Sequence, residues 1–188
     1  DGDYCYDEVL IDLLRETLSR PSKEHRVIVL HMIGSHGPTY YRRYPEKFAK
    51  FVPDCPRSDI QNCEEAELTN TYDNTIAYTD YVLGQIIEQL STIPNSSMLY
   101  LSDHGESLGE KGLYLHGFPY NLAPVEQTHV PMVYWASKFS QPEYSDCVKS
   151  LSSHPYSHDN LFDTLLGLTN VQSSTYQPTQ DILRKCES

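Results

Sequence analysis

Two short apolar runs in this chain break off at the same punctuation, a histidine followed by glycine. Val27-Ile28-Val29-Leu30 leads into His31-Met32-Ile33-Gly34-Ser35-His36-Gly37-Pro38, and Met98-Leu99-Tyr100-Leu101 runs into Ser102-Asp103-His104-Gly105-Glu106. Such runs, bounded by loop residues, read as buried strands, so Arg26–Met32 and Met98–Leu101 are expected strands, with Pro131–Trp135 a third. Helical spacing precedes, separates and follows them. Val9, Leu10, Leu13, Leu14 and Leu18 form one stripe over residues 7–18, ended by Pro21. Leu68, Tyr72, Ile76, Leu83, Ile87 and Leu90 mark a long helix over 64–91, and Ser157 caps a helix that runs to Leu168. Strands alternating with helices predict an α/β fold with a mostly parallel sheet covered on both faces. In such sheets ligands gather beyond the carboxyl ends of the strands, where His36 and Asp103-His104 fall.

The 188 residues suffice for one domain, and a hydrophobic share of 39% argues against disorder. Asp and Glu total 26 against 14 Lys and Arg, a net charge of −12. This excludes nucleic acid as a natural partner, since that affinity is built on neutralised phosphates. An anionic membrane surface would also repel the chain unless something else tethered it. No apolar run reaches the ~18 residues that a spanning helix needs, and no signal peptide is visible. The first residue is Asp1 rather than Met, which suits a processed or trimmed piece.

Five cysteines, Cys5, Cys55, Cys63, Cys147 and Cys186, contain no C-x-x-C pair, so a zinc ribbon is not expected. Cys55 and Cys63 flank a polar, proline-bearing loop and suit a short disulfide. Cys147 and Cys186 would pin the tail back. Cys5 is left over, which suggests a partner upstream. The tail, 171–188, is polar and expected to wrap the surface.

The chemistry rests on three loops that each offer an imidazole beside a glycine: His36-Gly37, His104-Gly105 and His116-Gly117. Asp103 adds a hard oxygen next to the borderline nitrogen of His104, a mixture that zinc accepts. A lone Asp-His-Gly is often only a turn after a strand. Three such loops together point to a metal or phosphate site.

His31-Met32-Ile33-Gly34-Ser35-His36-Gly37-Pro38, Ser102-Asp103-His104-Gly105-Glu106-Ser107-Leu108-Gly109-Glu110 and Tyr114-Leu115-His116-Gly117 together resemble the lipid A phosphoethanolamine transferases, a family that includes the mobile colistin-resistance enzymes. The resemblance extends over nearly the whole chain, including Tyr40–Phe51 and Asn160–Leu168. It implies an alkaline-phosphatase-like α/β/α sandwich, of which residues 1–188 are the carboxyl-terminal part, preceded by a transmembrane domain and facing the periplasm at the inner membrane. It implies that Asp103 and His104 bind a catalytic zinc ion, that His36 and His116 contact the transferred phosphoryl group or hold a second zinc, and that Glu106 stands beside them. The donor would be phosphatidylethanolamine and the acceptor lipid A, with the protein a monomer touching the membrane through its upstream domain. The family uses a threonine nucleophile from its amino-terminal half. Thr39, Thr69, Thr71, Thr75 and Thr79 lie in the wrong motifs to replace it, so the 188 residues alone are expected to be inactive. Two other readings stay open: another hydrolase of the superfamily, a sulfatase or phosphomonoesterase, and a non-catalytic metal-binding fragment.

Among the remaining histidines, His31 is expected to be buried and bonded to backbone. His25, His129 and His154 read as surface positions, and His158 as a residue ordering a helix start. Tyr40-Tyr41-Arg42-Arg43-Tyr44 suits either an interfacial aromatic rim or an amphipathic surface segment.

Overall fold

The computed structural model describes residues 5–22 and 25–186. Helix α1, Glu8–Ser19, lies against the long helix α2, Glu65–Ser91. Ile11 and Leu14 of α1 meet Tyr78, Val82 and Ile86 of α2, with Tyr44 and Phe48 closing the cluster. The apolar stripes that predict both helices are therefore the faces that bury each other. α2 also carries a polar ridge into the interior. Asn74, fully buried, accepts the backbone N–H groups of Lys50 and Phe51 and donates to the Phe51 carbonyl. Thr71 accepts the N–H of Cys55. These bonds satisfy a loop that has no secondary-structure ladder of its own.

Strand β1, Ser97–Leu101, pairs antiparallel with β4, Met132–Ala136, with Leu99 opposite Tyr134. Between them lies a small hairpin of β2, Ser107–Leu108, and β3, Tyr114–Leu115, with Ser107 opposite Leu115. A four-residue helix α3, Val125–Thr128, precedes β4. Both ladders are antiparallel, and no parallel pair occurs among the described residues. A parallel return needs a crossover of a dozen or more residues, usually a packed helix, and α3 is one turn. Helices α4, Pro142–Leu151, and α5, Asp159–Leu168, complete the fold.

Two expectations change. Arg26–Met32 forms no ladder among the described residues, and Val27 and Val29 are 67% and 85% exposed. Only Leu30 and Met32 pack on the core. A β-branched run becomes a strand only where neighbouring backbone can pair with it, and local composition does not supply that neighbour. The tail is not merely draped over the surface. Ile182 and Leu183 are buried with Leu151, Ile182 N donates to Thr164 Oγ1, and Cys186 joins Cys147. Tyr40–Arg42 is a single 3-10 turn; Tyr40 and nearby Tyr44 are buried while Arg42 is exposed, which is the amphipathic segment of the two readings given above. The Cys55–Cys63 bridge is present, and Cys5 is free and exposed.

Candidate metal centre

β1 ends at Leu101, and the chain turns at once through Ser102-Asp103-His104-Gly105. The turn is wedged against α3. A Cβ on Gly105 would lie 1.9 Å from the Glu126 carbonyl oxygen, so only glycine fits, and Gly105 N donates to the Gln127 carbonyl. Gln127 is buried and also donates to Ser107 Oγ, fastening the start of the hairpin. His158, expected only to order its own helix, places Nε2 2.9 Å from the Ser102 carbonyl and ties α5 to the same turn.

The second loop, residues 33–37, is held from α1. Asp7, buried, accepts the N–H of Ile33 and of Gly34 through its two oxygens, at 3.0 and 2.9 Å. Thr75 Oγ1 contacts Ser35 Oγ at 2.6 Å, and Arg43 Nε donates to the His36 carbonyl. The third imidazole leaves the hairpin after Leu115, whose φ of +64° is uncommon for a side-chain-bearing residue and turns the chain sharply before His116.

These three loops bring His36, His104 and His116 together. One ring nitrogen of each lies within 4.8 Å of those of the other two. The rings of His104 and His116 stack with centroids 3.8 Å apart, and His36 meets both edge-on at 5.7 and 5.0 Å. His36 Nδ1 lies 2.8 Å from the Gly37 carbonyl and His104 Nδ1 3.0 Å from the Gly105 carbonyl. A ring that donates Nδ1–H to a carbonyl presents the Nε2 lone pair, the arrangement found behind metal-bound histidines. The three imidazoles thus suit a borderline divalent ion in donor chemistry and orientation.

Glu106 lies behind the cluster, with its side chain 3% exposed. Its Oε1 accepts the Gly37 N–H at 3.0 Å and is 3.2 Å from His116 Nδ1. Asp103 stands on the open side. Its side chain is 87% exposed and its Oδ1 lies 3.9 Å from His104 Nε2, so it adjoins the cluster without being enclosed by it. Tyr40 is buried beneath the Gly37 loop. Burial, then the charge of Glu106, hold its phenol proton on far above the ordinary tyrosine range. His31, expected to be buried, is exposed, as are His25, His129 and His154.

Asp7, Tyr40, Arg43, Gln127 and His158 all support the site and none was legible as doing so. Asp7 opens an amphipathic helix and reads as a capping residue. Its reach to a loop 26 residues away has no local signature.

The sulfatase family model matches residues 1–171. A phosphoethanolamine transferase, EptA, of Salmonella typhimurium is 52% identical over 99% of this chain and 35% of its own length. The soluble domain of lipooligosaccharide phosphoethanolamine transferase A from Neisseria meningitidis superposes with a TM-score of 0.91 at 44% identity, over 99% of this chain and 57% of that one. The corresponding integral membrane protein gives 0.90 at 45% identity, over 97% of this chain and 35% of that one. The chain thus spans about a third of the length of the curated relative it matches. The solved neighbours establish an alkaline-phosphatase-like α/β fold, here as part of a domain.

Proposed function

The chain belongs to the sulfatase family, and on that premise we propose that it is the carboxyl-terminal part of the catalytic domain of a zinc-dependent enzyme that passes phosphoethanolamine from phosphatidylethanolamine to lipid A. The observation that carries this reading is the convergence of His36, His104 and His116 over a buried Glu106. The transferase names of the relatives support the reaction, and a similar solved chain, the C-terminal periplasmic domain of phosphoethanolamine transferase EptC from Campylobacter jejuni, supports a site facing the periplasm. No helix among the described residues is long and apolar enough to cross a membrane. On this reading the membrane contact and the hydroxyl nucleophile belong to the part of the relatives' length that residues 1–188 do not span.

Within the site, His104 and the adjoining Asp103 carboxylate would hold the zinc ion. Bound there, zinc supplies positive charge that lowers the pKa of a hydroxyl and offsets negative charge on phosphoryl oxygens. His36 and His116 offer their free ring nitrogens to the phosphoryl group or to a second zinc ion, aimed before the substrate arrives. Groups fixed in place need not reorganise as charge develops, which is where such contacts act most strongly. Glu106 holds His116 in one orientation, and the Gly37 N–H shares the same carboxylate oxygen, so the two loops move as a unit.

The test is phosphoethanolamine addition to lipid A, read as a mass shift, in cells expressing the full-length protein. His104→Ala and Asp103→Ala are expected to abolish it, and His36→Ala and His116→Ala to reduce it on the order of 10²–10³-fold. Unmodified lipid A with hydrolysis of a phosphate or sulfate monoester would move the protein to the hydrolases. Undiminished transfer by His104→Ala would overturn the metal assignment.

A further inference from the structure

Two polar atoms beside the imidazole cluster are buried with no hydrogen-bond partner: Tyr40 Oη and Glu106 Oε2. They are complementary, a phenol with a proton to give and a carboxylate oxygen with none. They also adjoin the same glycine. Gly37 N donates to Glu106 Oε1 at 3.0 Å, and a Cβ on Gly37 would lie 2.7 Å from Tyr40 Oη. Tyr40 is 1% exposed, and its ring is packed with Ile60, Leu68, Leu108 and Leu115. Phenylalanine would fill that space without burying a hydroxyl, which is costly when nothing answers it.

We propose that Tyr40 is a positioning residue of the centre, its hydroxyl donating to Glu106 Oε2 and, through that carboxylate, fixing the ring of His116 and the backbone of Gly37. Glu106 has two oxygens and three clients. Oε1 serves Gly37 and His116, and Oε2 is free for the phenol. A carboxylate anchored at one oxygen can still swing about its terminal torsion, whereas one held at both cannot. The position of His116 Nδ1 follows from that torsion, because 3.2 Å is near the limit of a useful bond. The raised phenol pKa accords with a proton held by burial and by the neighbouring charge. The consequence for zinc rests on the functional reading above; the consequence for the His116 ring does not.

The test uses the full-length protein with Tyr40→Phe, Glu106→Gln, the double variant, and Tyr72→Phe as control. The Tyr72 ring packs edge-on against Tyr40 at 5.5 Å but Tyr72 has no part in the proposal. The first readout is the nitrogen and proton spectrum of the His116 ring in metal-free protein. The parent should show one tautomer, protonated at Nδ1, and Tyr40→Phe a mixture. The second is zinc affinity by chelator competition, which Tyr40→Phe should weaken roughly 10–100-fold, as loss of an outer hydrogen bond does, with Tyr72→Phe near the parent. Added to Glu106→Gln, Tyr40→Phe should cost little more, since the two act as one unit. A Tyr40→Phe protein that keeps a single His116 tautomer would overturn the proposal, whatever its melting temperature. Multiplying effects in the double variant would do the same. A parent that binds no zinc but loses its single tautomer in Tyr40→Phe would refute the metal reading and leave Tyr40 in its role.

Discussion

Glu106 Oε1 lies 3.2 Å from His116 Nδ1 and 3.0 Å from the Gly37 amide, so one buried carboxylate oxygen joins the loop at residue 37 to the loop at residue 116. Glu106→Ala removes the acceptor from both. The expected result in the full-length protein is zinc affinity lower by about 10–100-fold, the usual cost of losing a carboxylate behind a metal-bound histidine. Chelator competition at constant pH measures it. Affinity equal to that of the parent would show that His116 takes no part in holding the ion.

Gly105 admits no side chain. A Cβ there would sit 1.9 Å from the Glu126 carbonyl, a backbone atom that cannot rotate away. Gly105→Ala should therefore destabilise by more than about 3 kcal/mol, beyond the range of ordinary substitutions, and displace His104 as it does so. Urea unfolding gives the first quantity and bound zinc the second. Normal stability with full metal content would mean that α3 gives way easily.

The two disulfides should contribute unequally. Cys147–Cys186 closes a loop with a sequence separation of 39, and Cys55–Cys63 one of 8. On the chain-entropy model these correspond to about 4 and about 2.5 kcal/mol respectively. Replacing each pair by serine and comparing denaturant midpoints tests the order. The tail bridge should matter further because it fixes the buried Ile182 and Leu183 beside Leu151. Equal losses would show that the tail is already held by its packing.

Alkaline pH should loosen the fold through its tyrosines. Burial raises the Tyr44 phenol to about 12, with the Asp54 carboxylate helping, and burial likewise raises Tyr72 to about 12. In an unfolded chain both would titrate near ~10. The folded state therefore keeps these protons to higher pH than the unfolded state. The stability this contributes is fully present below pH ~10 and is lost as pH climbs toward ~12. Urea midpoints measured across that window should fall, and Tyr44→Phe should flatten the fall. A flat parent profile would contradict the assigned burial.

Much of the site was legible from the sequence because its chemistry is carried by adjacent residues. His36-Gly37, Asp103-His104-Gly105-Glu106 and His116-Gly117 announce themselves locally, as do α1, α2, α5 and the strands β1 and β4, whose periodicity is intrinsic to the run. The cysteine pairs followed from their loop and tail placement. Arg26–Met32 shows the limit: four apolar residues in a row say that burial is favourable but not which backbone answers them, and Val29 ends 85% exposed.

What the sequence determined by itself was which histidine loops carry the candidate site, the helices whose stripes bury each other, and a family resemblance in its ordered motifs. What tertiary structure alone decided was which distant groups hold that set in register. Asp7 grips the Gly34 loop, Gln127 the Gly105 turn, and Glu106 joins His116 to Gly37. Each of these contacts is a hydrogen bond between residues 10 or more apart in the chain, and most span more than 20. Its energy depends on distance and angle at two heavy atoms, and those quantities exist only once the chain has brought them together.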